Sequence, residues 1–118
     1  AMRQVAAEEG VALIDLNRMS RALYESWGPE SSQKLFVHYA VNPFPGQCTV
    51  LKDSTHFTTY GAYELARCVV RGISEASLDI SRYIIPEKLI YMPSQANPAA
   101  HWYWPLSPMA SAVKPGGN

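Results

Sequence analysis

The sequence predicts an α/β domain in which helices cover a parallel sheet, and three observations carry that expectation. A helix, a short continuous apolar run and a second helix follow one another over residues 2–27. An acid and a histidine three residues apart then open onto a third helix beginning near residue 58. Last comes a stretch crowded with proline and aromatic residues, expected to lie extended along a surface.

Met2 to Glu9 is rich in alanine and glutamate and reads as the end of a helix, stopped by Gly10. Val11-Ala12-Leu13-Ile14-Asp15-Leu16 is a nearly unbroken apolar run, the pattern of a strand buried on both faces of a parallel sheet. Asn17 is placed to cap a second helix, which carries Met19, Ala22, Leu23 and Trp27 at helical spacing. Gly28 and Pro29 end it. A lone strand cannot satisfy its own backbone, so its neighbours are expected from another chain segment.

Glu30 to Phe36 reads as a short helical turn. Val37 to Leu51, with Pro43, Pro45 and Gly46, reads as a loop of the kind that carries sites at the edge of a sheet. Thr58 or Thr59 caps the third helix, whose apolar face is drawn through Tyr63, Ala66, Val69, Val70 and Ile73, with Gly72 weakening its end. From Leu78 the pattern loosens: Ile80, Tyr83, Ile84 and Ile85 form an apolar patch. Pro86, Pro93, Pro98, Pro105, Pro108 and Pro115 then interrupt any regular element. The expected organisation is a domain over residues 1–77 and an extension over 78–118 that packs on it.

Lys+Arg 10 balances Asp+Glu 10 without a basic run, which argues against nucleic acid and anionic membrane as partners. No apolar stretch approaches the roughly 18 residues of a membrane span, and no basic segment with an apolar core opens the chain as a signal peptide would. Hydrophobic residues make up 47% of the 118, enough for a globular domain. Cys48 and Cys68 occupy no metal-ligand spacing; Cys68, between apolar neighbours, reads as a small buried residue, and whether the two pair is left open. His38, His56 and His101 lack the spacings of a zinc site, so no metal is expected.

Lys52-Asp53-Ser54-Thr55-His56-Phe57 carries the chemistry. An imidazole moves protons in hydrolysis and a carboxylate fixes its tautomer, and Asp-x-x-His supplies both from one short segment. No Gly-Asp-Ser segment or Gly-x-Ser-x-Gly elbow accompanies it in these residues, and Ser54, Ser31, Ser32 and Ser94 lack a nucleophile's context. Trp102, Tyr103 and Trp104 suit either a sugar platform or an anchor for the extension, and the anchor is the expectation. Phe44-Pro45-Gly46-Gln47 suits a pocket wall or an ordinary turn.

Asp53-Ser54-Thr55-His56-Phe57, followed by Gly61-Ala62 and Leu65-Ala66, resembles the last block of the SGNH (GDSL-type) hydrolases. Ala12 to Asn17, Leu35 to Tyr39, Phe44 to Gln47 and the terminal Pro105 to Pro108 and Lys114 to Asn118 narrow the resemblance to the rhamnogalacturonan acetylesterase-like branch. It covers nearly the whole chain but only the C-terminal half of the family's domain. The resemblance implies a three-layer α/β/α fold and serine-esterase deacetylation of a plant polysaccharide, with His56 as general base and Asp53 as its orienting acid. It also implies a substrate-side place for His38, which reads equally as a satisfied structural histidine, an extracellular or periplasmic location, and a nucleophile and oxyanion donors in a missing N-terminal half. The chain alone is then expected to be inert. The rival expectation is a non-catalytic binding or assembly module that keeps a remnant of the fold; a zinc hydrolase is a distant third.

Overall fold

The computed structural model describes residues 1–42, 46 and 48–103. Helix α1 (Met2–Glu8) is followed by α2 (Leu16–Ser31) and a 3-10 turn over Ser32–Leu35. Strands β1 (Phe36–Tyr39) and β2 (Leu51–Phe57) then lead into α3 (Thr59–Glu75). The stretch beyond holds short turns and one four-residue helix, α4 (Pro86–Leu89). Strands β1 and β2 form an antiparallel two-stranded sheet, the sheet found among the described residues.

That sheet corrects two expectations. Val11 to Asp15 has no regular structure and pairs with no strand among the described residues, and Leu16 already belongs to α2. Val11 and Leu13 are 59% and 38% exposed, because nothing described offers the neighbouring backbone that a buried parallel strand requires. Conversely, the segment read as a loop from Val37 to Leu51 contributes β1 at one end and the start of β2 at the other. Phe36, Val37 and Tyr39 have the aromatic and β-branched character that favours a pleated surface.

Asp15, rather than Asn17, caps α2: its Oδ1 accepts from the Arg18 amide at 3.1 Å. The same carboxylate receives the Arg3 Nε at 2.7 Å, tying α1 to the start of α2. Helix α2 passes through Gly28 at φ 74°, a left-handed conformation that glycine adopts without penalty, so its last turn runs off-axis before Pro29. Met19 and Leu23 supply its buried stripe.

Two small clusters replace a single closed core. Met19, Cys68 and Tyr91 pack with Ile14 and Leu16; Leu23, Leu35 and Tyr60 pack with Trp27, Phe36, Leu65 and Trp102 among others. Leu23 and Leu35 are wholly buried and contribute about 1.5–3 kcal/mol each by leaving water. Helix α3 turns Tyr60, Gly61, Glu64, Cys68 and Gly72 inward, so its buried face is rotated from the one drawn through Tyr63, Ala66 and Val70. The rotation has a local cause. Gly61 lies so close to the 3-10 turn that a Cβ there would stand 2.0 Å from the Leu35 carbonyl oxygen. Gly72 similarly admits the Ile14 side chain, 2.3 Å from where its Cβ would be.

The extension is fastened by side chains. Tyr91 donates its hydroxyl to Glu64 Oε2 at 2.6 Å, and both residues are buried. The Arg67 guanidinium lies 4.1 Å from the Tyr91 ring centroid. Burial raises the Cys68 thiol to about 11, which makes it an inert packing group. Tyr60 donates to the Asn97 carbonyl, and Trp102 packs edge-on against Tyr60 with centroids 5.4 Å apart. Trp102 therefore acts as an anchor, whereas Tyr103 is 79% exposed. Trp104 and the residues after it lie outside the described residues, as do Phe44, Pro45 and Gln47. Cys48 is exposed and Cys68 buried, and both are free thiols.

The seam between α3 and the 3-10 turn gives a direct test. Gly61→Ala drives a methyl into backbone that cannot yield, so the urea midpoint should fall by the equivalent of about 1–3 kcal/mol. An unchanged midpoint would show that α3 does not approach Leu35 this closely.

Candidate active site

The β1–β2 ladder breaks where the chemistry lies. Val37 pairs with Asp53 and Phe36 with Phe57, so consecutive residues on β1 face residues four apart on β2. Ser54, Thr55 and His56 are thus left over as a bulge, a device that ends pairing locally and re-aims side chains. Amides in a bulge lose their ladder partners and need others. Asp53 supplies them: its Oδ1 accepts from the Thr55 amide at 2.7 Å and from the His56 amide at 3.0 Å.

Asp53 Oδ2 is then free for the imidazole, and it meets His56 Nδ1 at 2.6 Å. An ionised carboxylate only accepts, so Nδ1 carries the proton and the neutral ring keeps its lone pair on Nε2. This is the orientation a general base requires. The His56 amide, then the Thr55 amide, then the His56 ring draw the Asp53 carboxyl down from 3.8 to about 2. Asp53 therefore stays ionised throughout the range in which imidazole titrates.

Structure beyond the bulge holds it in place. The Thr58 amide donates to the Leu35 carbonyl at 3.0 Å, and the Thr58 hydroxyl donates to the Lys34 carbonyl at 3.0 Å. That hydroxyl oxygen also accepts from the Gly61 amide at 3.1 Å, capping α3 as the sequence foretold. The Phe36 and Phe57 rings, 5.1 Å apart, close the base of the hairpin, and Tyr24 of α2 packs against Phe36 in a tilted arrangement at 5.3 Å. The dyad is consequently built on elements that pack, although it stands open: the His56 side chain is 78% exposed.

His38 is half-buried on β1 and does not meet the dyad directly; its Nε2 lies 3.0 Å from Ser54 Oγ. Ser54 as a partner of His38 was missed in the sequence. The signal existed only across the ladder: His38 pairs with Lys52, and Ser54 is the diagonal neighbour two residues on. His101 sits in a separate turn over Ala99–His101. No three His, Cys, Asp or Glu side chains converge as metal ligands among the described residues. A groove of about 440 Å³ is lined by Ser26, Trp27, Lys34, Pro98 and their neighbours, and neither member of the dyad borders it.

With the dyad's geometry in view, the comparisons with known proteins carry weight. The chain is 39% identical over 85 residues to the rhamnogalacturonan acetylesterase RhgT of Bacillus subtilis. It is also 39% identical over 88 residues to the probable rhamnogalacturonan acetylesterase YesY of the same organism. The chain is a relative of the SGNH rhamnogalacturonan acetylesterases. The matches take in 72% and 75% of this chain but only 37% and 36% of those two acetylesterases, so the chain spans little more than a third of their length. No family model matches the chain, and no solved structure matches it.

The depressed Asp53 carboxyl sets a pH dependence with a definite sign. A group whose folded value lies below its unfolded one stabilises above the unfolded value, and that contribution disappears as pH falls through the folded one. The bulge should hold above pH 3.8 and release near pH 2, seen as Thr55 and His56 amide resonances titrating together. A shared midpoint at 3.8 would show that Asp53 does not hold these amides.

Proposed function

We propose that this chain is the acid/histidine portion of a serine acetylesterase that deacetylates pectic rhamnogalacturonan or a related plant polysaccharide. The observation that carries this reading is the 2.6 Å contact between Asp53 Oδ2 and His56 Nδ1, which leaves Nε2 open in a relative of acetylesterases. In the mechanism, His56 Nε2 takes the proton of a serine hydroxyl as that oxygen attacks the acetyl carbonyl. Collapse of the tetrahedral intermediate breaks the bond to the sugar oxygen, which leaves with the proton from His56. Water, deprotonated by the same imidazole, then releases acetate and restores the serine. Asp53 stabilises the imidazolium through both steps. No cofactor or metal enters this scheme.

The serine and the oxyanion donors belong to an N-terminal polypeptide in this reading, and the isolated chain is inert. Two features support such a partner. The dyad stands in the open, whereas ester pockets exclude water and need walls. Val11 to Ile14 is apolar and pairs with no strand among the described residues, as a run awaiting the neighbours of a three-layer parallel sheet would be. Residues 1–77 then complete the hydrolase domain, and 78–118 form its packed extension. An enzyme acting on cell-wall polysaccharide works outside the cytoplasm, so an exported location belongs to the same proposal. The open Val11–Asp15 edge also favours the second reading, an assembly module, but such a module has no use for an oriented dyad.

Acetate release from acetylated rhamnogalacturonan tests the reading. In the protein complete with its N-terminal half, His56→Ala should lower kcat by about 10²–10⁴ with KM little changed. A wild-type rate in that variant would remove the esterase reading.

A further inference from the structure

We propose that His38 is a positioning residue which, through Ser54, holds the bulge that carries His56. The idea rests on the acetylesterase reading for its purpose and on the hairpin for its geometry. Ser54, Thr55 and His56 have no residue opposite them on β1. The bonds from the Thr55 and His56 amides both end on Asp53, within the same strand, so they shape the bulge without tethering it to β1. Among the described residues, His38 Nε2 lies 3.0 Å from Ser54 Oγ, a side-chain contact that joins the bulge to β1. It starts from a half-buried side chain on β1 and ends at the first residue of the bulge.

Ser54 is not itself equipped as a nucleophile, although a serine hydroxyl beside an imidazole invites that interpretation. A nucleophilic serine needs amide donors for the developing oxyanion. The two amides that follow it, those of Thr55 and His56, are already taken by Asp53. What remains for the His38–Ser54 contact is mechanical. His56 has a side chain 78% exposed and no packing of its own to fix it, so its aim depends on the backbone beneath it. A misplacement of about 1 Å at a catalytic group can lower a rate by about a hundredfold. An imidazole serves this purpose well because it bonds the hydroxyl whether neutral or protonated, as acceptor in one state and donor in the other.

The test uses the 118-residue chain and reads His56 directly. Long-range proton–nitrogen correlation from the carbon-bound ring protons reports the imidazole tautomer, with Asp53→Asn as the control that removes its partner. In His38→Ala, His56 should move from the single Nδ1–H tautomer toward a mixture of both. His38→Gln, whose side-chain amide can still reach Ser54, should restore the wild-type pattern, and Ser54→Ala should match His38→Ala without adding to it. In the complete enzyme, His38→Ala should lower kcat about tenfold at unchanged KM. A His56 pattern unmoved by both His38→Ala and Ser54→Ala would overturn the positioning role and leave the dyad and the esterase reading intact. If the tautomer responds as expected while the complete protein releases no acetate, the positioning stands and the esterase reading falls.

Discussion

The carboxylate of Asp53 has two oxygens and three hydrogen bonds to satisfy, and the shape of the site follows from how they are shared. Oδ1 takes the amides that the broken ladder leaves over, and Oδ2 takes the His56 ring. The same group therefore stabilises the bulge and selects the tautomer that makes the bulge useful. Removing the charge would weaken the hold on both amides and on the imidazole at once. Geometry and chemistry are coupled through one side chain, which is why both depend on a single ionisation.

That carboxylate would hold nothing in place without the packing behind it. Leu35 ends the 3-10 turn with a carbonyl that receives the Thr58 amide, and Gly61 allows α3 to come against it. Phe36 and Phe57 pin the strands beside this seam, and Tyr24 and Leu23 connect it to α2. On the far side, Tyr91 and Trp102 bring the extension back over α3. Met2, Val5, Val11, Ile80, Ile85 and Ile90 lie away from this packing and are all more than half exposed.

What the sequence revealed follows the range of the interactions involved. Asp53 and His56 were legible because three residues separate them, and the Thr58 cap because its bond reaches only to Gly61. The relationship to acetylesterases was legible from the same segment together with its flanks. Val11 to Leu16 forms no strand among the described residues because strand character is settled by neighbours, and a run of apolar residues cannot supply them. The hairpin was missed because Asp53 and Ser54 interrupt the alternation of β2, and prolines crowd the loop between the strands. The inward turn of Glu64 depends on Tyr91, 27 residues away, and no local pattern announces a buried carboxylate with so distant a donor.

The central claim is that these residues supply a working acid/histidine pair to an acetylesterase. The most direct measurement joins this chain to the part of the Bacillus relative RhgT that lies outside the matched region, and follows acetate released from acetylated rhamnogalacturonan. The account predicts turnover by the chimera and its loss when Asp53 and His56 are both replaced by alanine. A chimera that unfolds cooperatively, and so is folded, yet releases no acetate would contradict it.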